Sequence, residues 1–553
     1  MERTMMASPS RVGARGDVRR GRGVAPGPGG RAPAHRAPRL SRHGADRGCR
    51  HRARSVLTER MMELTKDAGV RYPTPAEVVR SRSQVNLVAV IEGGARSPYG
   101  PDWKDVLGHV AMNVGFLDDK IKLDIVEVND LVNPDRKGAA SEAIRSADAV
   151  VAVALQGPSP AHAKLLEIAQ GVTERIAVDC SSDLERKLTS VGGFQPTFEG
   201  PAHHIYDAPL RQSVLSRVPV VGRTTARRLQ GAKVFETMQE LWSRRNSDDM
   251  VFAMLLLTDE LIRPVDVLPR QDPGLMGVYK MLRWCSGPVL ACVRDPECKA
   301  GLDALTAVGI NDQVASYRTI VSYETKEFEE FSLCVLQKHN CLGNTALLPS
   351  MPDPPPMERW RGQELTWELA ERILFGWLVA DEATGGESDD SSWMVVGGKN
   401  AAYDQFPCQF QLFYRGKGKH VLWYDPVFKV TKLDGEQVWR RRHYRVRRGS
   451  TPGRFFFSVL DNGVTSNEYW RIIDAADDLS FAVFYYSGAA SAAGISYQGS
   501  VVATRDGTWP GKEGRDRIDA ALRAAGIEPW ELSTVDNSSC TGCAELLASR
   551  EGI

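Results

Sequence analysis

No stretch of the 553-residue chain reaches about eighteen consecutive apolar residues, so nothing in it reads as a membrane-spanning helix. An excess of either charge is missing too. Lys and Arg number 70 against 69 Asp and Glu, a net of +1, which argues against a partner held by overall field such as nucleic acid. Neither a G-x-G-x-x-G nor a G-x-x-x-x-G-K-[ST] loop occurs, which argues against a bound nucleotide. Cysteine is almost absent from the first half, where only Cys49 and Cys180 precede residue 280; the other eight follow it.

Residues 1–60 lack any apolar pattern. They hold fifteen Arg, no Lys and four acids, among clusters such as "GVAPGPGGRAPAHRAP". Such a segment cannot bury enough apolar area to offset its ordering entropy. An Arg-rich, acid-poor start without a continuous apolar stretch is the composition of an organelle transit peptide rather than a secretory signal. The alternative is translation from Met61 or Met62.

What is present divides the rest. Over 61–272, short apolar runs at 85–94, 122–130, 147–157 and 174–182 alternate with helical patterns such as 161–172. This βαβ succession predicts a doubly wound, Rossmann-like α/β domain whose ligand crevice would lie at Gly93-Gly94 and Gly157–Ser159. His203-His204 read as ordinary surface or core histidines. A cysteine-rich helical region spans 275–350, and 351–390 reads as a Pro-rich linker with a short amphipathic helix. From 391 to 545 the pattern is β, with strands expected at 393–400, 408–416, 420–430, 437–448, 454–461, 467–474, 480–487 and 497–505. Eight sequential strands predict an antiparallel barrel wide enough for one ligand, followed by a helix at 515–527 against its wall.

One stretch of this barrel is chemically unusual. In "YDQFPCQFQLFY" (403–414), Gln409 and Gln411 are two apart on a strand and so share a face, with Asp404 just before them. Cys408, Phe410, Leu412 and Tyr414 take the other face. Two neutral amides and an acid aimed at one space suggest a cavity with a polar end.

These residues resemble the violaxanthin de-epoxidase family, the plastid lipocalin-fold enzymes of xanthophyll cycling, and most closely its divergent related branch. "YDQFPCQFQ" is similar to the family's first cavity strand, F-D-A-F-D-C-Q-L-H. "NEYWRII", "FYYSG", "VVATR" and "TVDNSSC" follow in family order, as do the spacings Cys285-x6-Cys292-x5-Cys298 and Cys334-x6-Cys341. The resemblance covers about 280–543. It implies a lipocalin-like barrel that binds an epoxy-xanthophyll and opens the epoxide reductively, with ascorbate as co-substrate and no metal. Asp404, Glu468 and Tyr486 fall on catalytic positions, and Gln409, Gln411, Trp470 and Tyr497 on substrate-binding ones. It implies a chloroplast location at the thylakoid. Gln411 stands where the enzymes have histidine, Glu468 where they have aspartate, and Ala503 replaces a tyrosine; the Glu-rich tail is missing. The rival activities are epoxide isomerisation without a reductant and carotenoid binding without turnover.

The chemistry asks for a carboxyl that keeps its proton. Asp404 and Glu468 are the available pair, and in a shared apolar cavity one is expected to stay protonated. Disulfide candidates are Cys285, Cys292, Cys298, Cys334, Cys341, Cys408, Cys540 and Cys543, with pairings that spacing cannot assign. Zinc is the rival reading for Cys540-x2-Cys543. "WRRRHYRVRRG" (439–449) alternates so that Arg441, His443, Arg445 and Arg447 share a face, either a charged solvated strand or a patch for thylakoid lipid head groups. A homodimer is compatible with the sequence.

Overall fold

The structure is a computed structural model that describes residues 83–190, 192–196, 234–244, 247–268, 274–308, 312–418 and 421–548. The Arg-rich start and His203-His204 lie outside the described residues. The described residues all fall within one compact unit.

The first sheet has five strands, and its interior ones are runs of Val, Ala and Ile buried on both faces, the pattern of parallel strands. The five are β1 (Val85–Ile91), β2 (Ile121–Glu127), β3 (Ala149–Val153), β4 (Glu174–Val178) and β5 (Gly192–Phe194). Every pair is parallel, in the order β2-β1-β3-β4-β5. β5 is three residues long and starts with two glycines, too little for any apolar pattern to show in sequence. Helices α1 (Trp103–Leu117), α2 (Lys137–Arg145), α3 (Pro160–Ala169) and α4 (Ser182–Leu188) connect the strands. Leu87, Ala89 and Ile91 pack on one face with α1, a helix α5 over 234–243 and α6 (Ser247–Leu261). Val88 and Val90 pack on the other with α2, α3 and α4.

The cysteine-rich region is a chain of short helices: α7 (Gly274–Trp284), α8 (Ser286–Arg294), α9 (Pro296–Val308), α10 (Gln313–Ser322) and α11 (Lys326–Ser332), then a π-helical turn at Leu333–Lys338. Its apolar clusters are small and built around sulfur, so disulfides substitute for a core. Residues 351–358 are no free linker. Asp353 accepts from Arg454 and Arg471 at 3.0 and 2.8 Å, and Tyr485 Oη donates to Pro352 O at 3.1 Å, fastening the segment to the barrel wall. A small hairpin, β6 (Arg359–Trp360) and β7 (Gln363–Glu364), leads to α12 (Trp367–Phe375). The Thr366 side chain caps α12, whose Ala370, Ile373 and Leu374 pack into one end of the barrel. Gly376 ends it at φ +50°, where a Cβ would strike Ser392 O and the Trp393 ring, so only glycine fits.

The barrel strands are β8 (Trp393–Gly398), β9 (Phe410–Arg415), β10 (Leu422–Thr431), β11 (Gln437–Arg441), β12 (Tyr444–Arg448), β13 (Arg454–Asp461), β14 (Val464–Ala475), β15 (Phe481–Ala490) and β16 (Ile495–Thr504). β16 pairs with β8 and β8 with β9, which closes an antiparallel barrel. The single strand expected at 437–448 is two. β11 and β12 both lie on β10, interrupted at Arg442-His443 opposite Pro426, which has no N–H to give. β9 begins at Phe410 rather than 408, because Cys408 sits at φ +55°. Alternation is clear on β15: Ala482, Phe484 and Tyr486 face the interior, while Phe481, Val483 and Tyr485 lie under α13 (Lys512–Ala524). The expected outer-wall helix is therefore present. A two-residue strand, β17 (Ser533–Thr534), pairs antiparallel with the end of β8.

Buried ionic contacts join the parallel sheet's helices to the barrel. Glu531 faces His109 at 2.8 Å and accepts from Ser247, and Lys399 Nζ lies 2.5 Å from Asp248. Burial alone would raise the Glu531 pKa, but Lys399 and His109 turn the net shift downward.

Candidate active site

A cavity of about 550 Å³ runs from the barrel interior to the cysteine-rich helices. Its outer end is apolar, walled by Leu302, Leu305, Phe328, Phe331, Leu336 and Leu342. Its inner end is polar and holds Asp404, Gln409, Gln411, Glu468, Tyr486 and Tyr497. The sequence-selected carboxyls, amides and tyrosines thus meet in one space, with Trp470 among them.

Three glycines make that grouping fit. In the β15–β16 register Tyr486 lies opposite Gly499, and Gly488 opposite Tyr497. A Cβ on Gly499 would collide with the Tyr486 ring, and one on Gly488 with the Tyr497 ring. Each tyrosine therefore lies flat across its partner's bare backbone. Gly398 at the end of β8 makes the same room for Asp404.

The two carboxyls sit in separate hydrogen-bond sets. Asp404 is 1% exposed; Oδ1 accepts from Tyr486 Oη and Oδ2 from the Asn400 N–H, both at 2.8 Å. Burial pushes its pKa up to about 7, against these two bonds, which favour the charged form; the Glu468 charge adds to the rise. Glu468 accepts from Trp470 Nε1 at 2.6 Å and Tyr497 Oη at 2.8 Å, with Tyr444 Oη at 3.5 Å. Burial raises its pKa as well, against those donors. The two acids influence each other through the cavity, while each takes its hydrogen bonds from different donors.

Aromatic stacking fixes the frame. The Trp470 ring stacks on Tyr486 at 5.1 Å and on Phe457 at 4.8 Å. Gln411 accepts from Tyr424 Oη, and Gln409 Nε2 donates to Tyr403 O at 3.4 Å. The Tyr403 hydroxyl is buried and has no hydrogen-bond partner among the described residues. Tyr403, Tyr424 and Tyr444 were not singled out in the sequence. The signal available for them was weak, since each is one aromatic in a strand or turn already rich in them. Ala503, where the family has a tyrosine, is fully buried on the inner face.

The cysteines form three bonds: Cys285–Cys334, Cys292–Cys298 and Cys408–Cys540. Cys341 and Cys543, also disulfide candidates, are free buried thiols. Cys334 is bonded to Cys285 and Cys540 to Cys408, which leaves neither of them for Cys341 or Cys543. The zinc reading of Cys540-x2-Cys543 fails for the same reason. Among the described residues Cys285, Cys334 and His339 come together as ligand types, with both sulfurs in the disulfide.

In the basic run at 439–449 Arg441, His443, Arg445 and Arg447 share the outward face, while Arg442, Tyr444 and Val446 are buried. On that face Arg441 and His443 pair with the buried Asp425 across the strands, with His443 Nδ1 at 2.7 Å. Arg440 and Arg442 pair with Glu324, and Arg448 with Glu371. Only Arg445 and Arg447 stay outward without an acid among the described residues, too few for a lipid patch. In the parallel sheet, the loops after β1 and β3 lie side by side, but an acid occupies them. Glu92 accepts from Asn129 at 3.2 Å and faces His162 Nε2 at 3.3 Å.

Residues 278–537 match the family model of the VDE lipocalin domain. The match spans just under half of the chain and makes this part similar to the VDE lipocalin domain. The match leaves the parallel sheet outside it. No individual curated protein matches the chain significantly. Among solved structures, the siderocalin Ex-FABP aligns over 27% of this chain and 93% of its own at 12% identity, with a TM-score of 0.21. Lobster apocrustacyanin A1 aligns over 34% and 94% at 11% identity, with a TM-score of 0.22. The VDE lipocalin domain thus comprises the barrel, its end-closing helix and the disulfide-pinned helices that carry the cavity's apolar end.

Proposed function

We propose that the VDE lipocalin domain takes the ring end of an epoxy-xanthophyll into the polar end of the cavity and opens its epoxide reductively. The observation that carries this reading is Asp404, a buried carboxyl at the polar inner end of the cavity, hydrogen-bonded to Tyr486 and the Asn400 N–H, with its pKa pushed by burial up to about 7. A space of this size encloses a drug-sized ligand; a long polyene exceeds it, so the chain of the substrate would leave through the apolar end.

In this mechanism protonated Asp404 gives its proton to the epoxide oxygen as the C–O bond breaks. A second proton and two electrons come from ascorbate, which leaves as dehydroascorbate. Water departs and a carbon–carbon double bond remains. The carboxylate left on Asp404 is held by the Tyr486 hydroxyl and the Asn400 N–H until solvent returns the proton. Glu468 and its tyrosines anchor ring hydroxyls, as do Gln409 and the unpartnered Tyr403 hydroxyl. The same reading carries the chloroplast location.

A second reading, carotenoid binding without turnover, is favoured by Gln411 and Ala503, which supply neither the imidazole nor the phenol of the family pattern. Chromatographic product analysis with the oxidised full chain separates the cases. The proposal expects de-epoxidised product only when ascorbate is present. Product without ascorbate means isomerisation, and saturable binding without product means a carrier.

A further inference from the structure

We propose that α7 and α8 form a docking surface for an anionic lipid bilayer. The proposal goes beyond the chemistry of the cavity and does not depend on it. In α7 only Gly277 is buried. Leu282 is 67% exposed, Tyr279 53%, Leu275 50% and Trp284 48%, and Leu290 of α8 is 50% exposed. Isolated exposed apolar residues are ordinary, but this many on two consecutive helices mark an interaction surface.

Charge selects the occupant. Residues 274–294 contain Lys280, Arg283 and Arg294 and no acid, in a chain whose basic and acidic residues otherwise balance. None of the three has an ion-pair partner among the described residues; Lys280 reaches only the Asn340 carbonyl, at 3.4 Å. Nearby lysines beyond this segment are paired, Lys299 with Asp303 and Lys326 with Glu330. Leu, Met, Tyr and Trp side chains interleaved with unpaired Lys and Arg suit the headgroup boundary of a bilayer. No helix among the described residues is long and apolar enough to cross a membrane, so the helices would lie in its surface.

The covalent frame links this surface to the cavity. Cys285, between α7 and α8, is bonded to Cys334, and Cys292 of α8 to Cys298. Leu336 and Phe331, from the segment that carries Cys334, wall the cavity's apolar end. Docking through α7 and α8 would bring that end to the lipid in which an apolar ligand dissolves.

The test is flotation of the oxidised full chain, without substrate, on vesicles of phosphatidylcholine alone and of phosphatidylcholine with phosphatidylglycerol. The wild type is expected to float with the anionic vesicles. Each basic side chain near such a surface contributes roughly fivefold in partition. The triple variant Lys280→Gln, Arg283→Gln, Arg294→Gln should therefore lose about a hundredfold. Tyr279→Ser with Leu282→Ser should lose at least about tenfold. Arg445→Gln with Arg447→Gln, on the barrel wall, should change nothing. Unaltered melting temperatures show that these exposed substitutions leave the fold intact. No flotation of the wild type overturns the proposal, as does equal flotation of the α7–α8 variants. A wild-type dimer that the serine variant dissociates, with no flotation, also overturns it and makes the face an interface between copies.

Discussion

Replacing Asp404 with Asn keeps the shape of the polar end and removes its titration. The amide oxygen can accept from the Asn400 N–H, and the amide NH2 can donate to the Tyr486 hydroxyl oxygen, so both existing partners stay satisfied. The energetic consequence follows from the wild-type shift. In the unfolded chain the carboxyl titrates near ~3.9, and in the folded protein near 7. The folded value is the higher, so the contribution to stability is whole below the unfolded pKa and is lost as pH rises through the folded one. Between these values stability falls by ~1.4 kcal/mol per pH unit, about 4 kcal/mol in all. The Asn variant has no such loss. Its stability relative to wild type should therefore rise by about 3 kcal/mol from pH 5 to pH 8. Chemical denaturation of both proteins at each pH measures this, and the difference cancels the titrating groups that are not coupled to Asp404. Turnover should be abolished in the variant while xanthophyll binding persists. In the wild type it should be full on the acid side and fall as pH passes about 7. A relative stability that does not move with pH would show that Asp404 is charged when buried. Normal turnover by the variant would remove it as the proton donor.

Gly499→Ala places a methyl against the Tyr486 ring; it should cost about 1–3 kcal/mol in melting experiments and lower turnover by displacing the donor to Asp404. Lys399→Met removes a positive charge that favours the Asp404 carboxylate, so the alkaline limit of turnover should move to higher pH. A pH–rate profile that stays put would refute the coupling. Alkylation and peptide mapping of the unreduced chain should label Cys341 and Cys543 and recover Cys408 bonded to Cys540. Cys408→Ser opens a link between residues 132 apart and should lower stability by about 2–5 kcal/mol.

Periodicity made the strands legible and loop chemistry made their ends less so. The alternation that placed Gln409 and Gln411 on one face is the alternation of β9, and both line the cavity. The same rule holds for the side chains of 441–447, which alternate between buried and outward; what it does not show is that Pro426 interrupts the ladder and splits the stretch into β11 and β12. Nor does it show that Arg441 and His443 are paired with Asp425, an acid buried in β10 that no local pattern connects to them. β5 was invisible because three residues carry no period. Cysteine pairing was illegible for a different reason: Cys408–Cys540 depends on how the segment after α13 returns to β9, which is set by tertiary packing alone.

The position of Asp404 shows why the parallel sheet matters to a site it does not line. Asp404 is oriented by two donors, one of them the N–H of Asn400. Asn400 follows Lys399, whose backbone N–H is bonded to Ser500 O in β16 and whose ammonium reaches Asp248 in α6. Glu531, near the same ammonium at 3.9 Å, faces His109 of α1. The chain end that presents the Asn400 N–H is therefore clamped between the barrel and helices of the sheet. An ion pair in such a place contributes uncertain net stability, because desolvation offsets attraction, but it fixes geometry. A donor held to within fractions of an ångström keeps a buried carboxyl aimed into the cavity. On this argument the sheet and its helices act on the barrel through Lys399, by holding the acid in place rather than by binding the ligand.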